Sequence, residues 1–313
     1  MSDLKTIAGK NGKCSSGSGA PKTGKKGCQI EFGTPLHLIR LNKGFSIPAA
    51  TELNKAYLDS LIQLGIATPL VGASSFEKLS GEDTMSSNSQ TVERLNIRGL
   101  PKYKFMFEEG HEFYKELSKL TSFKSSDFII GDEFGNLKLV KKSNGDFKGF
   151  KAGQVLAMMT EEKVQGGDAE SKSVTVQFLD RNEWDKDYEI IESNSLDFDL
   201  DEIQGINGVE LSLKTIPSNG ETIVNVKAVL SADRSTDVLG LELGDFKATV
   251  DGVENVITAV AFVDGYYNLT LTTALVAATN LTIGTWDASV SKSILLKEDC
   301  LLQAESVTEM VLT

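Results

Sequence analysis

The feature that most constrains this chain is the succession of short apolar stretches and tight-turn pairs over its last hundred residues. Asn207-Gly208, Asn219-Gly220, Asp251-Gly252 and Asp264-Gly265 punctuate the stretches Val209–Leu213, Ile223–Leu230, Leu239–Val250, Val256–Val263, Tyr266–Leu271, Leu281–Trp286 and Ser291–Leu296. Asn-Gly and Asp-Gly supply the positive φ angles that two-residue hairpin turns need. Within Ile223–Leu230, Val224, Val226, Ala228 and Leu230 alternate with Asn225 and Lys227, the two-residue period of a half-buried strand. Seven short strands with these breaks predict a two-sheet sandwich over residues 203–313, immunoglobulin-like in size. No cysteine pair is placed to staple its sheets, and Phe246 and Trp286 are its expected core aromatics.

The preceding residues read differently. Residues 1–28 hold Lys5, Lys10, Lys13, Lys22, Lys25 and Lys26 among glycines and serines, and are expected as a flexible basic arm. Residues 29–192 form a mixed, mainly β domain. It opens on a strand within Gln29–Ile39. A helix over Ala50–Leu64 follows, with Leu53, Tyr57, Leu58, Leu61, Ile62 and Leu64 as its stripe, Thr51 as cap and Gly65 as stop. From Ala67 to Asn96 the chain reads as a long irregular passage whose polar part, 80–96, is a surface loop. Tyr103, Phe105 and Phe107 share one strand face, and Phe113, Leu117 and Leu120 share one side of a helix over 110–120. Strands are expected at Phe128–Ile130, Leu137–Val140, Phe147–Phe150, Gln154–Met159 and Val174–Leu179, with turns at Asp132 to Asn136 and at Asn144-Gly145, and a loop at Gln165–Asp168. Nine acids against two basic residues in 181–202 predict the end of this domain and, at 193–202, an acidic linker.

Composition limits the partners. The chain has 313 residues, 32 Lys and Arg against 44 Asp and Glu, and a net charge of -12, so most of its surface repels nucleic acid. The Gly, Ser and Lys of the first 28 residues do not form a signal-peptide core, and no run reaches the roughly 18 apolar residues of a membrane helix. Synthesis in the cytosol and no membrane partner are therefore expected.

Residues with chemistry are few. His37 lies in an apolar strand. His111 has Glu108 and Glu109 beside it, which favour its protonated form. Neither has a partner array with catalytic spacing. Cys14, Cys28 and Cys300 match neither a disulfide framework nor a zinc site. Gly19 to Lys26 approaches a phosphate-binding loop, but Lys26 stands where Ser or Thr should hold magnesium, and no strand precedes it. Asp197 and Asp199 alternate within the acidic stretch, where a linker is a simpler account than a glycosidase pair. Asn268-Leu269-Thr270 and Asn280-Leu281-Thr282 match glycosylation acceptors. Tyr266 and Tyr267 could stack on sugar rings, with one of the two in the core. The expectation is a protein that is not an enzyme and has no catalytic, cofactor-binding or metal residues.

Several stretches between Gly81 and Ile191 resemble the tail tube proteins, or major tail proteins, of tailed bacteriophages. They are Glu82-Asp83-Thr84 before a Ser-rich loop, Gly99-Leu100-Pro101-Lys102-Tyr103-Lys104-Phe105, the helix with Phe113 and Leu117, Gly135-Asn136, Gly149-Phe150-Lys151-Ala152-Gly153, and Ser173-Val174-Thr175-Val176-Gln177-Phe178-Leu179-Asp180. The resemblance covers about a third of the chain. It implies a β-barrel or sandwich with a helix on its side, hexameric rings stacked into a tube of the virion tail, and passage of double-stranded DNA without sequence-specific contact. It gives residues 80–96 a stacking role and residues 1–28 the role of an arm. The other partners it implies are further tail and connector proteins, with assembly in the host cytoplasm and the C-terminal sandwich as an external decoration. A capsid decoration, a head-tail connector and a carbohydrate-binding adhesin are the alternative readings of the same β-rich, two-domain pattern.

Overall fold

The computed structural model describes residues 3–4, 32–80, 84–87, 93–97, 99–121, 126–159, 172–297 and 300–313. The basic arm at 1–28, apart from Asp3 and Leu4, lies outside these residues, and so do Gly19 to Lys26, Cys14, Cys28 and the loop at 165–168. Leu4 itself is buried, and its amide donates to the Thr51 carbonyl at 3.0 Å. The protein is mainly β, with twenty-two strands and three α-helices among the described residues. It divides into two compact units, Met1–Ile203 and Gln204–Thr313.

The first unit begins with strand β1 (Pro35–Leu41) and helix α1 (Lys55–Gln63). The helix starts later than its apolar stripe indicates. Asn54, and not Thr51, is the N-cap, its side chain accepting the Tyr57 amide at 2.8 Å. Leu58, Leu61 and Ile62 are buried, whereas Leu64 at the helix end is exposed. Gly65, at φ 69, then turns the chain. The passage from Ala67 to Asn96 is not irregular. It holds β2 (Ala67–Leu70), β3 (Ser75–Ser80) and a separate antiparallel hairpin of β4 (Thr84–Ser87) and β5 (Glu93–Ile97). Ser, Thr and charged residues dominate there, so the apolar signal is weak and the strands are set by their backbone pairing.

Then come β6 (Lys102–Phe107), α2 (His111–Ser118), β7 (Ser126–Asp132), β8 (Leu137–Lys141), β9 (Phe147–Lys148), β10 (Phe150–Met159), β11 (Lys172–Phe178), α3 (Arg181–Asp185) and β12 (Tyr188–Ile191). The main sheet runs β12-β8-β7-β10-β11-β6-β3, all neighbours antiparallel. β7 is its branch point. One side of β7 pairs with β1, which in turn pairs with β2, and the other side is shared by β8 and β10. Both edges of β7 are therefore paired, and all seven of its residues are buried, so its two faces are covered as well. Phe105 and Phe107 of β6 meet Phe128, Phe150, Val174 and Phe178 in one core, closed on one side by Leu117 of α2.

Two close approaches hold the branch point. Gly149 lies where the chain passes from pairing β8 to pairing β7, and a Cβ there would stand 2.5 Å from the Phe128 nitrogen. Asp132, fully buried at the β7 end, accepts from the amides of Gly33 (2.7 Å), Phe134 (3.0 Å) and Asn136 (2.8 Å) and from Asn136 Nδ2 (2.9 Å).

The acidic stretch at 193–202 is not a linker. It belongs to the first unit as two 3-10 turns, Ser193–Ser195 and Leu200–Glu202. Leu200 packs against Gly131, Leu200 and Ile203 are buried, and the Ser193 amide donates to Asn136 Oδ1 at 3.0 Å. The acids point to solvent while two apolar residues anchor the segment.

The second unit is a two-sheet sandwich. Its strands are β13 (Ile206–Leu213), β14 (Ile223–Leu230), β15 (Phe246–Val250), β16 (Val253–Glu254), β17 (Ile257–Val263), β18 (Tyr266–Leu271), β19 (Asn280–Thr285), β20 (Ile294–Lys297), β21 (Cys300–Glu305) and β22 (Val307–Met310). One sheet runs β17-β18-β14-β13-β21-β20, the other β16-β15-β19-β22. β13 and β21 pair in parallel, the other neighbours antiparallel. Val224, Val226, Tyr267 and Leu269 of the first sheet face Phe246, Ala248, Leu281 and Ile283 of the second in a shared core.

Three expectations for this unit need correction. Asn207-Gly208 is no turn but lies inside β13. Leu239–Val250 is not one strand: a 3-10 turn at Leu243–Asp245 precedes β15. Trp286 is only half-buried, its ring under Lys247 Nζ at 4.4 Å, so Phe246 alone of the pair enters the core.

Candidate assembly surfaces and a lysine among aromatic rings

A sheet border presents unpaired amides and carbonyls, so each border strand has to be covered, charged or matched. In the first unit, β3 pairs with β6 alone and β2 with β1 alone among the described residues. β3 carries Glu77 and Lys78, both exposed, next to an exposed Leu79. The hairpin β4–β5 follows directly from the end of this border strand. Ser80 is paired with Lys102, so the two ends of the hairpin segment leave the sheet side by side. The stacking loop expected at 80–96 therefore contains a hairpin rooted on a border strand.

The first unit also builds an aromatic cluster that sequence reading did not find. Tyr103, Phe150 and Phe178 surround Trp184 of α3 with ring centroids 5.2, 4.5 and 4.8 Å away. Lys138 of β8 reaches into this cluster. Its Nζ lies 4.6 Å from the Trp184 ring, 4.3 Å from Tyr188, 5.6 Å from Phe150 and 5.8 Å from Phe32. Burial pushes the amine from its usual 10.5 down to about 8. The four ring faces act the other way and favour the ammonium.

This yields a prediction. Between about pH 8 and 10.5 the unfolded chain holds a proton on Lys138 that the folded chain has released, so stability rises with pH across that window. The rise is at most about 3 kcal/mol for one group. Lys138→Met keeps the stem among the rings and removes the amine, and urea unfolding should show that its stability lacks this alkaline increase. An increase of equal size in wild type and variant would contradict the assignment.

Beside the cluster, β8, β12 and α3 border an open cleft of about 520 Å³ with mixed charge, including Lys142, Lys148, Lys186, Asp180 and Glu183. Glu183 is buried, pairs with Lys148 and accepts the Lys151 amide at 2.8 Å. These acids and bases neutralise one another, the pattern of an interface or a solvated wall.

Among the described residues, those considered for chemistry form no catalytic array, and of them His37 and Asp199 lie near enough to interact by charge. His37 is buried in β1, its Nδ1 accepting the Gly72 amide at 3.2 Å. Burial lowers its pKa, against the opposing charges of Asp201, Asp199 and Asp132. His111 begins α2, more than 70 positions along the chain. Cys300 is a free, half-buried cysteine. Asp197 and Asp199 lie on the solvated side of the segment anchored by Leu200. Of the tyrosine pair, Tyr267 is core, with its hydroxyl donating to the Val238 carbonyl at 2.6 Å, and Tyr266 has Lys214 Nζ over its ring at 4.7 Å. Tyr267 thus offers no ring face to a sugar, and one face of Tyr266 is taken by Lys214. Among the described residues no group of three His, Cys, Asp or Glu could hold a metal ion, and no helix is long and apolar enough to cross a membrane.

Neither a protein-family model nor a curated protein sequence matches the chain. Among solved structures, a protein of Corynebacterium diphtheriae described as membrane-anchored aligns over 90% of this chain with 10% identity and a TM-score of 0.23. The chain spans 58% of that protein's length. A likeness of this size carries no argument about fold or function.

Proposed function

We propose that this chain is a structural subunit of a phage tail tube, built by joining sheet borders between identical copies. In this reading the first unit forms hexameric rings, the hairpin and the N-terminal arm link one ring to the next, and the second unit is an immunoglobulin-like decoration outside the tube. Double-stranded DNA passes through without sequence-specific contact, which suits a chain with a net charge of -12. The observation that carries the reading is the border strand β3, paired on one side only among the described residues, with a hairpin leaving from its end. Rings that join such borders satisfy their backbone groups by hydrogen bonds between subunits.

The hairpin supplies the test. Replacing residues 81–98 by a linker of about four residues keeps β3 and β6 connected, because Ser80 and Lys102 are already paired. The core residues lie in other elements. The variant should fold with a melting temperature close to that of wild type and should no longer stack into tubes seen by negative-stain microscopy. Tubes of normal length from the shortened chain would overturn the role given to the hairpin.

A further inference from the structure

β17 is an unusual border strand. It closes one side of the six-stranded sheet and, among the described residues, pairs only with β18. Its residues are Ile, Thr, Ala, Val, Ala, Phe and Val, preceded by Val256, with no charge, proline or glycine. Val256, Phe262 and Val263 are 56%, 45% and 48% exposed. Natural borders are blunted by shortness, charge or cover, and an uncharged border of this length is a template for a further strand. Other borders among the described residues are shorter or carry charge: β16 has two residues, β2 has four and contains Pro69, β20 has four and ends in Lys297, β22 contains Glu309 and β12 contains Glu189. β3, the border given to ring joining above, carries one charge of each sign, Glu77 and Lys78, which a copy can match.

The register tells which backbone groups of β17 are unpaired. Asp264 and Gly265, at φ 52 and 79, make a two-residue turn, so Val263 and Tyr266 form a hydrogen-bonded pair. Pairs then alternate. Ala261 and Ala259 bond to β18, while the amides and carbonyls of Val260 and Phe262 point away from it. No hydrogen bond satisfies those groups among the described residues.

We infer that β17 pairs antiparallel with β17 of a second copy, about a two-fold axis through Ala261. This register places Val260 opposite the second copy's Phe262 and the reverse, so all the outward groups of both residues are bonded. On the core-facing side it sets an aromatic ring against a β-branched side chain, a favourable cross-strand pair. On the other side Ala261 meets its own copy, and Ala259 meets Val263. The occupant is a second copy because a matching strand must itself be extended, uncharged, open at its edge and long enough to span this ladder, and among the described strands β17 meets these conditions, whereas the uncharged border β2 has four residues and a proline. The acidic surface of the second unit, 14 Asp and Glu against 6 Lys and Arg, leaves this strand as its uncharged border for a like-charged copy. The irregularity between Ile257 and Ala259 ends the ladder beyond Ala259, and both β17 borders are consumed, so growth stops at the dimer. The inference does not rest on the tail tube reading. A two-fold contact cannot repeat through a polar stack of rings, and it belongs to the chain before assembly.

Sedimentation of the full chain over a concentration series is the test. A short ladder predicts a dissociation constant on the order of micromolar. Ala261→Lys places two ammonium groups face to face. It should weaken the dimer at least about tenfold with an unchanged melting temperature. In a chain with Cys14, Cys28 and Cys300 replaced by Ser, Ala261→Cys should form an intermolecular disulfide on mild oxidation, since directly opposed residues of a non-hydrogen-bonded pair lie within disulfide reach. A chain that stays at 33.9 kDa throughout would overturn the proposal. So would a dimer indifferent to Ala261→Lys or an Ala261→Cys dimer that does not cross-link. Absence of tubes alongside an intact, lysine-sensitive dimer would count against the function proposed above and not against this pairing.

Discussion

Asp132→Ala should lower the stability of the first unit by about 4 kcal/mol or more, the largest effect expected of a single polar substitution in this protein. The carboxylate is fully buried and gathers four donors, three backbone amides and the Asn136 side chain, within 3.0 Å. Alanine leaves these donors without an acceptor where water has no access. Each unsatisfied buried donor costs roughly 1–3 kcal/mol, partly recovered by relaxation. The loss extends beyond the turn. Gly33 is tied to the β7 end through this carboxylate, and Asn136, held by it, in turn accepts from Ser193. Urea unfolding followed by Trp184 fluorescence in a chain carrying Trp286→Phe reports the first unit, and hydrogen exchange at residues 131–136 and 193–195 reports the linked segments. A loss below about 1 kcal/mol would mean that the donors find other partners.

Gly149→Ala should cost about 3 kcal/mol, for a steric reason. The new methyl would sit 2.5 Å from the Phe128 nitrogen and 2.8 Å from its carbonyl carbon, both backbone atoms of a strand buried on all sides. No rotamer change relieves such a contact, so β7 and β10 must separate. Gly110→Ala is the control. No heavy atom lies within 4 Å of its added Cβ, and the effect at that helix cap is expected within about 1 kcal/mol. Equal melting temperatures for the two variants would show that the junction yields more easily than its packing indicates.

Elements with a strict local period were legible in the sequence. Tyr103, Phe105 and Phe107 alternate along one strand, and the structure packs all three toward the core. Val224, Val226 and Ala228 do the same in β14. The Asp251-Gly252 and Asp264-Gly265 turns were readable because each needs two positive φ angles in succession. Whatever depended on distant partners was not. Cys300–Glu305 lacks a clean alternation, and its place is set by parallel pairing with β13, about a hundred residues earlier. The acidic run at 193–202 was misread because its charges outnumber Leu200 and Ile203, the two residues that decide where it packs. Asn207-Gly208 carries a hairpin signal, yet parallel pairing with Leu302 and Gln303 of β21, and the Ser231 amide on the Gly208 carbonyl, hold it extended.

Lys138 is the most instructive miss. In β8 it alternates with the buried Leu137 and Leu139, so it reads as a solvent-facing residue. α3 and β12 then fold over that face, bringing Trp184 and Tyr188 to the amine from 46 and 50 positions away. Only the charged character of its neighbours in 181–189 was visible beforehand. The borders β3 and β17 were likewise invisible as borders, since which strand ends a sheet is a property of topology and not of the strand's own residues.

The central claim is that open borders of the first unit are matched by identical copies. Symmetry-resolved electron microscopy of the assembled full chain tests it most directly. The account predicts stacked six-fold rings in which β3 of one subunit continues into the sheet of its neighbour, with the second unit on the outside. Particles no larger than a dimer in every salt and concentration, with β3 already covered by the chain's own N-terminal arm, would contradict it.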